Sequence, residues 1–301
     1  MTQCNNKIRV GKPKWLRRSL PTGPEYENIR KLLKDHSLTT VCQEAKCPNQ
    51  FECYGEGTAT FMILGEKCTR NCRFCAVGHP PDSLPDPEEP ARVAEAVVIL
   101  KLRYAVITSV TRDDLPDGGA SLFVKTIEAI RKASPDTLIE VLIPDLQGNW
   151  DALETIIEAR PDVLNHNVET IARLYPEVRP QAIYGRSLEL LGKVKEFNPK
   201  MVTKSGLMVG LGESMDELMG TWRDIRGFQT DILTIGQYLQ PSAEHHEVLR
   251  FVPPEEFDTY AEKATEDGFS GVASGPFVRS SYRAETLYKK AVRAISKNDS
   301  E

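Results

Sequence analysis

From Thr60 onward the chain repeats one pattern: a short apolar run, a polar loop, then an amphipathic stretch of helical spacing. The runs are Thr60–Leu64, Ala105–Val110, Leu138–Ile143, Val163–Asn167, Val202–Val209 and Ile232–Ile235, and helical patterns occupy roughly 89–102, 118–133, 150–159, 186–196, 214–226 and 254–267. Strands that each feed a helix imply an α/β fold with a parallel sheet and right-handed crossovers. Six such units suit an incomplete (β/α)6 barrel better than a flat doubly wound sheet. This reading divides the chain into an extension, 1–58, a barrel, 59–270, and a tail, 271–301. In either architecture ligands gather at the carboxyl ends of the strands. The loops richest in chemical groups all follow strands: Cys68–Cys75, Thr111–Gly119, Pro144–Asp145, His166–Glu169, Gly210–Glu213 and Gln237–Ser242. A common reaction chamber at that rim is expected, with Gly275–Tyr282 returning over it.

Six of the seven cysteines fall between residues 42 and 75 in two unlike triplets, Cys42-x4-Cys47-x5-Cys53 and Cys68-x3-Cys72-x2-Cys75. Thiolates select zinc, copper(I) or iron–sulfur clusters. A closed structural zinc site takes four ligands, often as two C-x2-C pairs, and neither triplet is built that way. Three cysteines on a cubane leave a fourth iron free to act as a reagent. Cys4 has no triplet and reads as a bystander.

The composition, 40% hydrophobic and 27% charged, is that of an ordinary globular chain, and the net charge of −5 argues against non-specific nucleic-acid binding. No apolar stretch is long enough to span a membrane. Clustered cysteines without a secretion signal point to a reducing, cytoplasmic setting. Basic residues concentrate near the start, at Lys7, Arg9, Lys12, Lys14, Arg17 and Arg18. They form either an exposed arm or a patch that attracts an acidic protein partner.

The stretch Cys68-Thr-Arg-Asn-Cys72-Arg-Phe-Cys75, with Phe74 before the third cysteine, resembles the signature of the radical S-adenosylmethionine (SAM) enzymes. Adding the first triplet, in VCQEAKCPNQFECY (41–54), narrows the resemblance to the lipoyl synthases. Further similar stretches are KPKWLR (12–17), TFMIL (60–64), NHNVET (165–170), KSGLMVGLGE (204–213), QYLQP (237–241) and RSSY (279–282). This resemblance implies two 4Fe-4S clusters and SAM, with the first cluster on Cys68, Cys72 and Cys75. The second would sit on Cys42, Cys47 and Cys53, with Ser281 of RSSY as its fourth ligand. The implied reaction inserts sulfur at carbons six and eight of a protein-bound octanoyl chain, with the second cluster as the sulfur donor. The implied partners are octanoylated lipoyl-carrier domains, an electron donor such as flavodoxin or ferredoxin, and an iron–sulfur carrier that rebuilds the spent cluster.

Individual positions keep plainer alternatives. Gly118 and Gly119 are either turn residues or a backbone contact for the SAM amino group. Glu140, inside the third run, is open to two uses, a SAM contact or a buried ion pair. His166 and Asn167 end a strand and face either the chamber or the core, with Asn167 a candidate SAM contact; His245 and His246 read as loop residues without ligand spacing. Arg279 is a solvated side chain or a charge in the chamber. Ser281, by its position alone, would simply meet solvent.

Overall fold

The computed structural model describes residues 13–17, 49, 52 and 58–298. The expectations for Cys4, Cys42, Cys47, Cys53 and most of the basic run lie outside the described residues.

Seven strands carry the fold: β1 (Thr58–Ile63), β2 (Tyr104–Ser109), β3 (Leu138–Leu142), β4 (Val163–Asn165), β5 (Val202–Val209), β6 (Ile232–Gln237) and β7 (Gly271–Gly275). They pair in sequence order, every pair parallel, and among the described residues β7 does not pair back to β1. Sequential order decides the architecture. Right-handed crossovers between successive neighbours place every connecting helix on the same face, so the other face becomes the inside of a curled sheet. A doubly wound sheet needs a reversal of strand order, and none occurs. The result is an open partial barrel.

The connecting helices are α1 (Glu89–Ile99), α2 (Ala120–Ala133), α3 (Trp150–Glu158), the single turn α4 (Tyr175–Val178), α5 (Tyr184–Phe197), α6 (Met215–Gly227) and α7 (Pro254–Glu266). Strand residues of one parity point out to meet them, as period-2 alternation requires. Phe61, Ile63, Ile107 and Val141 join Val97, Phe123, Ile127 and Ile156 in one apolar cluster. Leu207, Val209, Leu233 and Ile235 join Trp222, Ile225 and Phe257 in another. Both faces of β1 to β6 are buried, which is why these strands read as near-continuous apolar runs.

Two elements in the stretch read as tail are not predicted by the run pattern. β7 is a seventh strand, and α8 (Ala284–Asn298) is a final helix. Gly271–Gly275 has two glycines in five residues and is mostly half-buried, so its sequence carries little strand signal. Helix α8 packs its Leu287 and Ala291 on Val163, Val202 and Ile232, the first residues of β4, β5 and β6, while Ala284 meets Tyr104 and Val106. It therefore closes the amino end of the barrel interior and leaves the carboxyl rim for chemistry. No helix among the described residues is long and apolar enough to cross a membrane.

Candidate functional site at the barrel rim

Cys68, Cys72 and Cys75 lie on the loop between β1 and α1 as free, half-buried thiols. Backbone hydrogen bonds shape that loop: Cys68 N–H to Gly78 O at 2.8 Å, Thr69 N–H to Thr111 O at 2.9 Å and Cys75 N–H to Cys72 O at 3.0 Å. Cys68 Sγ accepts from the amides of Thr111 at 3.3 Å and Arg70 at 3.4 Å. Phe74 packs among Ile171, Leu174, Val178 and Tyr238, so the aromatic before the third cysteine anchors the loop to the segment after β4.

Three free thiols on one loop are soft donors of the kind that hold iron–sulfur clusters, zinc or copper(I). Burial pushes the Cys75 thiol up to about 11, and the neighbouring Cys72 and Cys68 add to it. Burial also raises Cys72, with Arg179 opposing and Cys68 adding. Such thiols stay protonated until cationic metal displaces the protons.

Arg70, between the first two cysteines, clamps this loop to the barrel. Its Nε and Nη2 donate to Asp113 at 2.7 and 2.9 Å, and Nη2 also reaches Asp145. Asp113 lies on the loop after β2 and Asp145 on the loop after β3, so one buried guanidinium ties three rim loops together. Burial alone would raise the Asp145 carboxyl, but Arg70 outweighs it and holds the group down at about 2. On the opposite side the loop after β6 closes over the cysteines. His245 Nε2 donates to Cys75 O at 3.0 Å, its Nδ1 pairs with Ser242 Oγ at 2.8 Å, and His246 N–H donates to Arg73 O at 2.8 Å. Sequence spacing alone does not reveal Arg70 or His245, although an arginine within the cysteine loop and aspartates in the next two strand loops were the available signal.

Beyond β4, Asn167, Glu169 and Arg179 gather beside Cys72. Arg179 Nη1 donates to Asn167 O at 3.0 Å, Val168 O at 3.1 Å and Tyr175 Oη at 3.1 Å. Its Nε is buried without a partner, and Nη2 has none among the described residues, so the forked edge of the guanidinium is open. Glu169 is raised by burial, with Arg179 and Asn167 opposing. His166 takes the structural option. Its Nδ1 donates to Ile143 O at 2.8 Å, Nε2 accepts from Ser187 at 3.0 Å, and burial together with Arg179 lowers it to about 4.

Glu140 takes the ion-pair option. Wholly buried on the inner face, it accepts from Lys204 Nζ at 2.9 and 3.0 Å, Tyr104 Oη at 2.7 Å and Asn165 Nδ2 at 2.9 Å. Both of its oxygens are thus satisfied by the chain itself, below the rim. Gly118 and Gly119 precede α2 with φ of +61° and +91°. A Cβ on Gly119 would stand 2.3 Å from Leu64 Cδ1, and its N–H donates to Asp117, so conformation and packing already account for this glycine.

The tail reaches the same rim. Ser280 Oγ accepts from Asn167 Nδ2 at 2.7 Å. Ser281 is half-buried and its hydroxyl has no partner among the described residues. Tyr282 Oη donates to Glu52 at 2.9 Å, Arg283 lies 3.4 Å from the same carboxylate, and Asn49 Nδ2 donates to Phe277 O at 2.5 Å. Glu52 immediately precedes Cys53, and Asn49 is two residues beyond Cys47. Glu52 and Asn49 therefore contact the tail at residues 277, 282 and 283, on either side of Ser281. Arg279 Nη1 turns back to Val278 O at 2.6 Å.

Two family profiles match the chain: the Radical SAM superfamily over residues 62–225 and the N-terminal domain of lipoyl synthase of the Radical SAM family over residues 2–47. A lipoyl synthase of Desulfotalea psychrophila is 68% identical over 289 residues, covering 96% of this chain and 97% of that protein. A lipoyl synthase of Chlorobium phaeovibrioides is 54% identical over 277 residues, covering 92% and 97%. Among solved structures, methylornithine synthase superposes with a TM-score of 0.54 at 12% identity, over 91% of this chain and 77% of that one. TYW1 with a lysine-pyruvate adduct superposes with a TM-score of 0.53 at 15% identity, over 85% and 92%. These two likenesses speak for the fold alone.

Proposed function

The chain belongs to the lipoyl synthase family of the radical SAM superfamily, and from that premise we propose that its rim inserts sulfur at carbons six and eight of a protein-bound octanoyl chain. Cys68, Cys72 and Cys75 would hold the cluster that works with SAM, and Cys42, Cys47 and Cys53 with Ser281 would hold the second. When bound, the first cluster and SAM supply a radical able to take hydrogen from an unactivated carbon, and the second cluster supplies sulfur.

The residues of the chain bind and orient. The open Nε/Nη2 edge of Arg179, beside Cys72, matches a carboxylate in shape and charge and is assigned to that of SAM. Asn167 and Glu169 face the same space with an amide and a carboxylate suited to hydroxyl and amino groups. The backbone of Gly118 and Gly119 remains a candidate SAM contact. Arg70 and His245 keep the cysteine loop fixed while the substrate is exchanged. Ser281 offers a hard oxygen to a borderline-soft iron, a bond more easily lost than a thiolate, which suits a cluster that must open.

One observation carries this reading: Tyr282 and Glu52, the neighbours of Ser281 and Cys53, are hydrogen-bonded to each other. Substrates are octanoylated lipoyl-carrier domains, with Lys14 and Arg17 part of the basic patch that attracts them. An electron donor such as flavodoxin or ferredoxin and an iron–sulfur carrier complete the set, in a reducing compartment such as the cytoplasm. The test is mass spectrometry of an octanoyl-lysine peptide after anaerobic incubation with reconstituted enzyme, SAM and a reductant. Two sulfurs gained per peptide are expected; SAM cleavage with no sulfur gained would overturn the reading.

A further inference from the structure

Asn167 sits where the cysteine loop's surroundings meet the tail. Both hydrogens of its Nδ2 are used, one by Glu169 Oε1 at 3.0 Å and the other by Ser280 Oγ at 2.7 Å. Its Oδ1 is buried and has no partner among the described residues. Buried acceptors are paired in the great majority of cases, so an unpaired one asks for a donor that arrives with a ligand. Space is kept for this oxygen: Gly206 on β5 faces it without a side chain, and a Cβ there would stand 2.8 Å from Asn167 Oδ1 and 2.8 Å from Thr234 Oγ1.

Resting on the reading that SAM binds at this rim, we infer that Ser280 is a positioning residue: its hydrogen bond to Asn167 couples SAM occupancy to docking of the tail that carries Ser281. With the tail docked, both amide hydrogens are pinned and Oδ1 is fixed in place to accept a hydroxyl of SAM. When the tail lifts, Nδ2 loses one of its two bonds and the amide is free to turn. A donor to Oδ1 therefore binds the docked state better, and a ligand shifts an equilibrium only through such a difference. The coupling is reciprocal: SAM holds the tail down, and the docked tail tightens SAM by the same factor. The approach of Ser281 to the first cysteine triplet then follows SAM occupancy, so the two halves of the reaction are set in order by one side chain.

The test combines hydrogen–deuterium exchange of residues 276–283 with equilibrium SAM binding, both on the reconstituted enzyme. In the wild type, SAM should slow exchange of the tail by about fivefold or more. In Ser280→Ala, SAM should bind about fivefold more weakly and the tail should no longer respond. Ser280→Thr, which keeps the hydroxyl, should restore both. Gly206→Ala, which displaces the amide from the opposite side, should abolish the response as Ser280→Ala does, and it serves if the first variant fails to load iron. A tail that responds to SAM in both Ser280→Ala and Gly206→Ala as in the wild type would overturn the coupling while leaving the family function intact. A wild type that binds no SAM would overturn the function and the coupling together.

Discussion

The cysteine loop and the tail meet at one rim but are held in opposite ways. The loop is clamped by charge and by many partners: Arg70 bridges Asp113 and Asp145, His245 holds the Cys75 carbonyl, and Phe74 is packed into an apolar cluster. The tail is tied down by hydrogen bonds that include Asn167 to Ser280, Tyr282 to Glu52 and Asn49 to Phe277, with the exposed Arg283 guanidinium 3.4 Å from Glu52. Buried ion pairs are costly to break, whereas such hydrogen bonds exchange readily with water. Under the proposed function the difference would match two chemical duties: a cluster used repeatedly would need a fixed seat, and one that gave up sulfur would need a seat that could open and be refilled.

The contrast can be broken most severely at Arg70. Arg70→Met leaves two carboxylates without their buried partner, and a loss of about 3–5 kcal/mol of stability is expected in denaturant unfolding. A loss below about 1 kcal/mol, the range of exposed pairs, would mean the clamp is solvated and the contrast false. The barrel beneath the rim should also weaken in acid. His166 stays neutral in the folded protein down to about pH 4, while in the unfolded chain it protonates near 6.5. Between these values the unfolded state binds the extra proton, so its contribution is intact above about pH 6.5 and falls away toward pH 4. The full effect approaches about 3 kcal/mol, and His166→Gln should flatten the slope in a pH series of unfolding curves. On the tail, Tyr282→Phe removes one hydrogen bond and should cost only about 1 kcal/mol, seen as faster exchange of the tail amides with little change in global unfolding. A global loss as large as that of Arg70→Met would erase the distinction.

The sequence made some of this legible and hid the rest for physical reasons. Strands β1 to β6 are buried on both faces, so their apolar runs stand out, and the cysteine spacings are local. β7 escapes because Gly271–Gly275 is small and half-buried, its place set by pairing with β6 and by α8 behind it. Arg70, Arg179 and His245 escape because their partners lie 43 or more residues away or are backbone atoms no pattern marks, as with Asp113, Asn167 O and Cys75 O. Glu140 was legible as an anomaly, an acid within an apolar run, but only the fold supplies Lys204, 64 residues on. Gly119 is explained by its contact with Leu64, a packing fact that turn propensity does not contain.

The central claim is that this rim seats one cluster firmly and a neighbouring one for consumption. Its most direct test is Mössbauer spectroscopy with iron counting on the reconstituted enzyme before and after a single round of sulfur insertion into an octanoyl-lysine peptide. The account predicts about eight irons per chain beforehand and about four afterwards, the remainder still cleaving SAM at its original rate. Product formed with all the iron retained, or with SAM cleavage lost in step, would contradict it.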